Sequence, residues 1–163
     1  MTLDGSRIVP AEGGNTGGRS AAAFVGAWRL LWCESRDVSG QVQYPFGEQP
    51  AGQLFYDGAG NMSAQLMRAH RARFAAGDPG LGTDAEVRDA FNGYVAYFGT
   101  YSVDESNGTV THHVTGASFP NWMGVNLVRY YTYEDGGRLR LSTPPMEAGG
   151  RSLEYVLLWE RMS

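Results

Sequence analysis

The chain has 163 residues, a net charge of −4 and no basic run, which suits a single domain and excludes a phosphate-neutralising surface for nucleic acid. Hydrophobic residues make up 42% and charged residues 18%, so the composition also excludes a disordered chain. All 13 basic residues are arginines, which excludes lysine Schiff-base chemistry, and the single cysteine excludes an internal disulfide.

The first segment of the chain is polar, glycine-rich and without periodicity. It predicts a disordered tail over residues 1–22, followed by one domain over residues 23–163. The segment lacks the basic-then-apolar start of a secretory signal. No window of the chain approaches the ~18 apolar residues of a membrane helix. We therefore expect a cytoplasmic protein that does not contact a membrane.

Most of the remaining chain alternates apolar and polar residues, which is typical of half-buried strands. Asp57-Gly58 marks one hairpin turn, since this dipeptide adopts positive φ readily. Thr83 and Glu86 form a capping box, which predicts a short helix over residues 84–93 with Val87, Ala90 and Phe91 on its buried side. The predicted strands are 24–36, 41–44, 51–56, 61–67, 94–103, 109–117, 126–133, 138–143 and 152–161.

The first and last strands each place large residues on one face. Alternation puts Trp28 and Trp32 on one side of the first strand, and Trp159 and Arg161 on one side of the last. Two long terminal strands of this kind are what a sheet needs to close on itself. The sequence thus predicts an all-β fold, a closed up-and-down antiparallel barrel of about eight or nine strands with one short helix. Such barrels either fill with side chains or enclose one small ligand.

Gly26-x-Trp28, with an arginine late in the last strand, resembles the lipocalin pattern, in which the arginine packs across the tryptophan at the barrel base. More specifically, the chain resembles the bacterial and fungal lipocalin-like domain family over residues 24–162. The matching stretches are YPFG at 44–47, NMSAQLMR at 61–68, FNGYVAYFGTY at 91–101, VTHHV at 110–114 and FPNW at 119–122. The resemblance implies a barrel with an internal ligand site. Some related barrels in natural-product pathways are cofactor-free cyclases.

Three residues are candidate catalytic groups. Arg129 lies in an apolar and aromatic strand row, where a guanidinium is costly unless it pairs with Glu154 or meets a ligand. His112 and His113 point to opposite faces of one strand; an apolar lining would bring His112 inward and a polar lining His113, and we favour His113. Tyr97 can direct a hydroxyl into the cavity, although barrel walls also use tyrosine for packing alone. These groups would polarise a carbonyl or transfer one proton.

Five further residues are expected to contact a ligand. Gln65 and Met67 share one strand face, and Tyr101 and Tyr131 share the faces of Tyr97 and Arg129 respectively. Trp122 lies in a loop at one barrel mouth. No metal site is expected, because the chain has only three histidines and two of them are adjacent. No phosphate loop or dinucleotide fingerprint is present, so we expect no cofactor.

Two hypotheses about function follow. The first is a cofactor-independent cyclase or isomerase of natural-product biosynthesis, which folds a largely apolar, polyketide- or terpenoid-like substrate into a reactive conformer. The alternative is a non-catalytic carrier that binds a hydrophobic small molecule. A barrel filled by its own side chains, with no ligand, stays open as a third interpretation. The sequence does not decide whether the protein forms a homodimer.

Overall fold

The computed structural model describes residues 20–163 and shows the predicted all-β barrel, with ten strands and one α-helix. The predicted tail, residues 1–22, falls almost wholly outside the described residues; at its end, Ala21–Ala23 form a short 3-10 helix. The elements are β1 (Gly26–Asp37), β2 (Val42–Gln43), β3 (Pro50–Tyr56), β4 (Asn61–Arg68), α1 (Asp84–Asn92), β5 (Tyr94–Asp104), β6 (Thr109–Ala117), β7 (Asn126–Glu134), β8 (Arg138–Ser142), β9 (Met146–Ala148) and β10 (Arg151–Arg161).

Eight of the strands close the barrel. Every neighbouring pair is antiparallel, in the order β1-β3-β4-β5-β6-β7-β8-β10, and β10 pairs back to β1. The short strands β2 and β9 pair with β1 and β10 near one end, beyond the residues that pair with β3 and β8. The predicted up-and-down closure is therefore confirmed, and the two extra strands extend one wall of the barrel.

A β-bulge in β1 corrects the predicted alternation of this strand. The register against β10 shifts between Leu30 and Trp32, so one additional residue separates them. Trp28 and Leu30 face inward as expected, but Trp32 turns to the outer face, where the Arg140 guanidinium stacks on its ring. The shift brings Cys33 inward instead. A period of two cannot reveal a bulge, because the extra residue inverts every later side chain.

An aromatic plug closes one end of the barrel. Phe24, fully buried, packs edge-on against Tyr131 with ring centroids 4.9 Å apart, and its carbonyl accepts a hydrogen bond from Trp28 Nε1 at 2.8 Å. The Arg161 guanidinium lies 4.2 Å from the centroid of the buried Trp28 ring and donates to the carbonyls of Ala23 and Val25. We call this end the closed end.

Gly26 has a physical reason to be glycine at the closed end. Its φ is +137°, which L-residues rarely adopt, and a Cβ there would lie 2.5 Å from Arg161 Nη1. The Gly-x-Trp pattern and the late arginine are therefore one structural unit, since the glycine leaves the space that the guanidinium occupies over the indole.

The opposite end carries the longer connections. The predicted capping box at Thr83 and Glu86 is present, and α1 connects β4 to β5 there. The predicted burial of Val87 and Phe91 is wrong: each side chain is about half exposed. The helix thus adds little to the core. Within residues 20–163, no helix is long and apolar enough to cross a membrane.

Candidate ligand-binding site

A cavity of about 300 Å³ lies inside the barrel, above the aromatic plug. Each of the eight barrel strands contributes at least one side chain to its wall, and most of these side chains are apolar. The lining from the barrel strands includes Cys33, Leu54, Leu66, Val95, Tyr97, His112, Arg129, Leu141, Leu157 and Trp159. The interior is therefore not filled by its own side chains, and its volume falls at the small end of the range for small-molecule sites.

The mouth of the cavity is aromatic. Trp122 lies in a 3-10 turn, Pro120–Trp122, and packs edge-on against Tyr97 and Phe119, with ring centroids 5.8 Å and 5.7 Å away. Phe46 contributes from the turn that follows β2, and Met146 from β9. These residues place an apolar rim between the interior and solvent.

His112 is the most buried polar side chain of the site, with 1% of its surface exposed. Its Nε2 lies 2.7 Å from the hydroxyl of Tyr56, and its Nδ1 lies 3.1 Å from the hydroxyl of Tyr97. Burial lowers the pKa of His112 well below 6.5, and the Arg129 and His113 charges lower it further. The imidazole is therefore neutral at pH 7.

A neutral imidazole donates from one nitrogen and accepts at the other, so one tyrosine donates to His112 and the other accepts from it. The tyrosine that accepts keeps its own O–H proton for another acceptor. When Tyr56 donates to Nε2, Nδ1–H donates to Tyr97, and the Tyr97 proton is available to the cavity that this residue lines. The hydrogen-bonded chain Tyr56–His112–Tyr97 can therefore present a donor to a ligand.

Arg129 brings a positive charge into the same cavity. It pairs in register with the fully buried Val110 and so shares the inner face. Its guanidinium donates a hydrogen bond to the carbonyl of its neighbour Val128, at 2.9 Å. No carboxylate of residues 20–163 lies within ion-pair distance of it. Glu154, the carboxylate that the sequence offered as a partner for Arg129, is instead the register partner of Arg36. It alternates with the cavity-lining Tyr155, so it belongs to the outer row of β10.

Trp159 lines the deep part of the cavity, with 2% of its surface exposed. Its indole Nε1–H is buried and has no hydrogen-bond acceptor in the described part of the chain. Most buried donors in proteins are satisfied, so this N–H is an exception, and the nitrogen has almost no surface of its own open to the cavity.

Cys33 also lines the cavity, and its thiol is not poised for nucleophilic attack. Burial, followed by the nearby Glu34 carboxylate, raises the pKa of the thiol to about 12. Catalytic cysteines have the opposite shift, because the thiolate is the nucleophile. Cys33 is therefore a small apolar wall residue.

The structure places three of the predicted site residues in the cavity wall, namely Arg129, Tyr97 and Trp122. The inward orientation predicted for His113 is wrong. Its ring lies on the outer face, where it hydrogen-bonds to Ser102 and Asn126, and His112 lies inside. The apolar row of β6 packs inward because the cavity wall itself is apolar.

Four other predicted contacts lie outside the cavity lining. Gln65 and Met67 alternate with the inward Leu66, so they occupy the outer row of β4, and neither lines the cavity. Tyr101 and Tyr131 belong to the core at the closed end: Tyr101 packs against Tyr56 with centroids 4.7 Å apart, and Tyr131 packs against Phe24. They close the barrel below the cavity.

Sequence reasoning missed Tyr56, Cys33 and Trp159 as members of the site or of its hydrogen-bonded chain. Tyr56 ends β3 next to a hairpin turn, and nothing local indicates that it reaches a histidine 56 residues later. Trp159 lies in the predicted inward row of the last strand, so its position was accessible from periodicity. The lack of a hydrogen-bond acceptor for its indole N–H could not be predicted from periodicity. No group of three or more metal-ligating side chains occurs within residues 20–163.

Residues 25–162 match the family model of the lipocalin-like domain. The chain belongs to this family. Among curated proteins, this lipocalin-like chain is 32% identical over 108 residues to a 4'-hydroxy-3'-methoxypropiophenone carrier protein of Aspergillus oryzae. The match covers 62% of this chain and 96% of that protein. Among solved structures, a redesigned beta barrel aligns with a TM-score of 0.41 and 13% identity. The alignment covers 90% of this lipocalin-like chain and 98% of the redesigned barrel.

Proposed function

We propose that this lipocalin-like protein is a non-catalytic carrier of a small, largely apolar molecule with one polar end, such as a hydroxylated aryl ketone. The observation that supports it most is the cavity of about 300 Å³, apolar around its circumference, with its hydrogen-bonding groups drawn from a few residues. A single-ring aryl ketone suits this volume and lining. The carrier named for a methoxylated hydroxypropiophenone adds support from a 32% identical relative.

Apolar and polar residues of the cavity would contribute to binding in different ways. Burial of an aromatic ring against Leu54, Leu141 and Leu157 would provide most of the affinity, since each Å² of apolar area contributes roughly 25 cal/mol. Arg129 and Tyr97 would orient the oxygen atoms of the ligand. A ligand of this size with one polar anchor corresponds to a Kd of roughly micromolar magnitude.

Calorimetric titration with 4'-hydroxy-3'-methoxypropiophenone tests the proposal. Val95→Trp narrows the cavity and should weaken binding by roughly tenfold or more. Thr100→Trp, on the exposed face of the same strand, is the matched control and should bind as the unaltered protein does. Absence of binding would refute this ligand class, and equal binding by both variants with intact folds would place the ligand outside the barrel.

A second candidate, a cofactor-independent isomerase, is favoured by one specific feature, the hydrogen-bonded chain Tyr56–His112–Tyr97 beside Arg129. A tyrosine that shares a proton with a neutral histidine can act as acid or base at a carbon next to a carbonyl, and a guanidinium can stabilise the enolate oxygen. Incubation of the same ketone in D₂O, followed by NMR, separates the candidates. A carrier leaves the exchange rate beside the carbonyl at its solution value, whereas an isomerase accelerates it in a manner that His112→Gln abolishes.

A further inference from the structure

The polar groups that line the cavity are mostly hydrogen-bond donors. Arg129 contributes a guanidinium, and the Tyr56–His112–Tyr97 chain presents a hydroxyl proton when Tyr97 accepts from Nδ1. A ligand that satisfies these groups must offer oxygen acceptors. The site therefore differs from a purely apolar carrier pocket, in which shape alone selects the ligand.

The charges in the cavity are also unbalanced. Burial keeps His112 neutral, raises the pKa of the Cys33 thiol to about 12 and raises the pKa of Tyr155, so these three groups are uncharged near pH 7. Glu147 lines the cavity from β9 at the mouth; it is exposed and makes no ion pair with Arg129. The guanidinium of Arg129 thus enters the site as a cation that no described carboxylate neutralises.

We infer that the cavity takes its ligand as an oxygen anion, the conjugate base of an acidic phenol, and that Arg129 is the counter-ion. The inference rests on the proposed carrier function and specifies the chemical form of its cargo. A half-buried cation costs free energy until an opposite charge meets it, and an anionic ring oxygen supplies that charge while the ring itself packs on the apolar wall. A phenol with an electron-withdrawing ketone on its ring ionises easily enough to meet this requirement.

Binding next to a fixed cation should lower the pKa of the ligand itself. An opposite charge within hydrogen-bonding distance shifts the pKa of an acid by roughly 1 to 3 units. The phenol should therefore bind as phenolate at pH values where it is still protonated in water. Ionisation red-shifts the absorption of a hydroxyaryl ketone, so the bound form can be read directly by spectroscopy.

The experiment follows the absorption spectrum of 4'-hydroxy-3'-methoxypropiophenone between pH 5 and 9, with and without excess protein. We expect the bound phenol to titrate about one unit or more below the free phenol. The O-methyl ether of the same ketone, which cannot ionise, should bind at least about tenfold more weakly at pH 7.5. Arg129→Met should abolish the spectral shift and remove the preference for the phenol over the ether.

Two further variants keep the test decisive if Arg129→Met folds poorly. Arg129→Lys retains the charge and should retain the shift, and Arg138→Met removes an exposed arginine and should change nothing. If the phenol binds without a shift and no more tightly than the ether, the inference is overturned and the carrier function stands. A shift that persists in Arg129→Met overturns the role of this residue. If neither ketone binds, the inference and the proposed function fail together.

Discussion

The buried His112 predicts a specific loss of stability on mild acidification. In the unfolded chain its pKa is near 6.5, and in the folded barrel burial holds the pKa well below that value. Below pH 6.5 the unfolded state therefore binds a proton that the folded state does not, and acid favours unfolding. The contribution of a neutral His112 is fully present above pH 6.5 and is lost as the pH falls below it.

The magnitude follows from linkage. Between pH 7.5 and pH 5.5, a histidine that titrates only in the unfolded state removes about 1.4 kcal/mol from the free energy of unfolding. The carboxylates with lowered pKa values, Asp37, Asp57, Glu86 and Asp104, contribute at more acidic pH, because their unfolded values lie near 4. Their effect within this window is small.

Urea unfolding at the two pH values, followed by circular dichroism, measures this difference. His112→Gln should be less stable at both values, because the Tyr56 and Tyr97 hydroxyls lose a well-placed partner, but its free energy of unfolding should change by less than about 0.5 kcal/mol between them. His113→Gln alters the neighbouring histidine on the outer face and should retain the full pH difference. Equal pH differences in the unaltered protein and in His112→Gln would refute the reasoning.

Two other expectations follow from the fold. Arg161→Met removes a cation–π contact with Trp28 and two charge-assisted hydrogen bonds at the closed end, so it should lower the free energy of unfolding by about 2 to 3 kcal/mol. The control variant Arg29→Met removes only an exposed ion pair and should lower the free energy of unfolding by less than about 1 kcal/mol. Comparable losses for the two variants in urea unfolding would contradict the proposed closure. Cys33 should react with a thiol reagent at pH 8 much more slowly in the folded protein than in urea, and rapid labelling of the folded chain would show that its thiol is neither buried nor protonated.

The sequence by itself determined the architecture. Alternating strands, hairpin turns and the capping box at Thr83 are set by residues close together in the chain, so they can be recognised without tertiary information. The contact between Trp28 and Arg161 was expected from the resemblance to the lipocalin pattern, and the structure confirms it. Closure of the barrel then follows, since two long terminal strands bury their large inward side chains when they pair with each other.

Only the tertiary structure decided which side chains form the cavity. The bulge after Leu30 moves Cys33 inward and Trp32 outward, and a single extra residue of this kind leaves no mark on periodicity. The choice between His112 and His113 depended on whether the cavity lining is apolar, a property of eight strands together. The hydrogen bonds of His112 to Tyr56 and Tyr97 join three strands of the barrel, and Arg129 lines the same cavity from a fourth strand. Only closure of the barrel therefore brings these groups into one site.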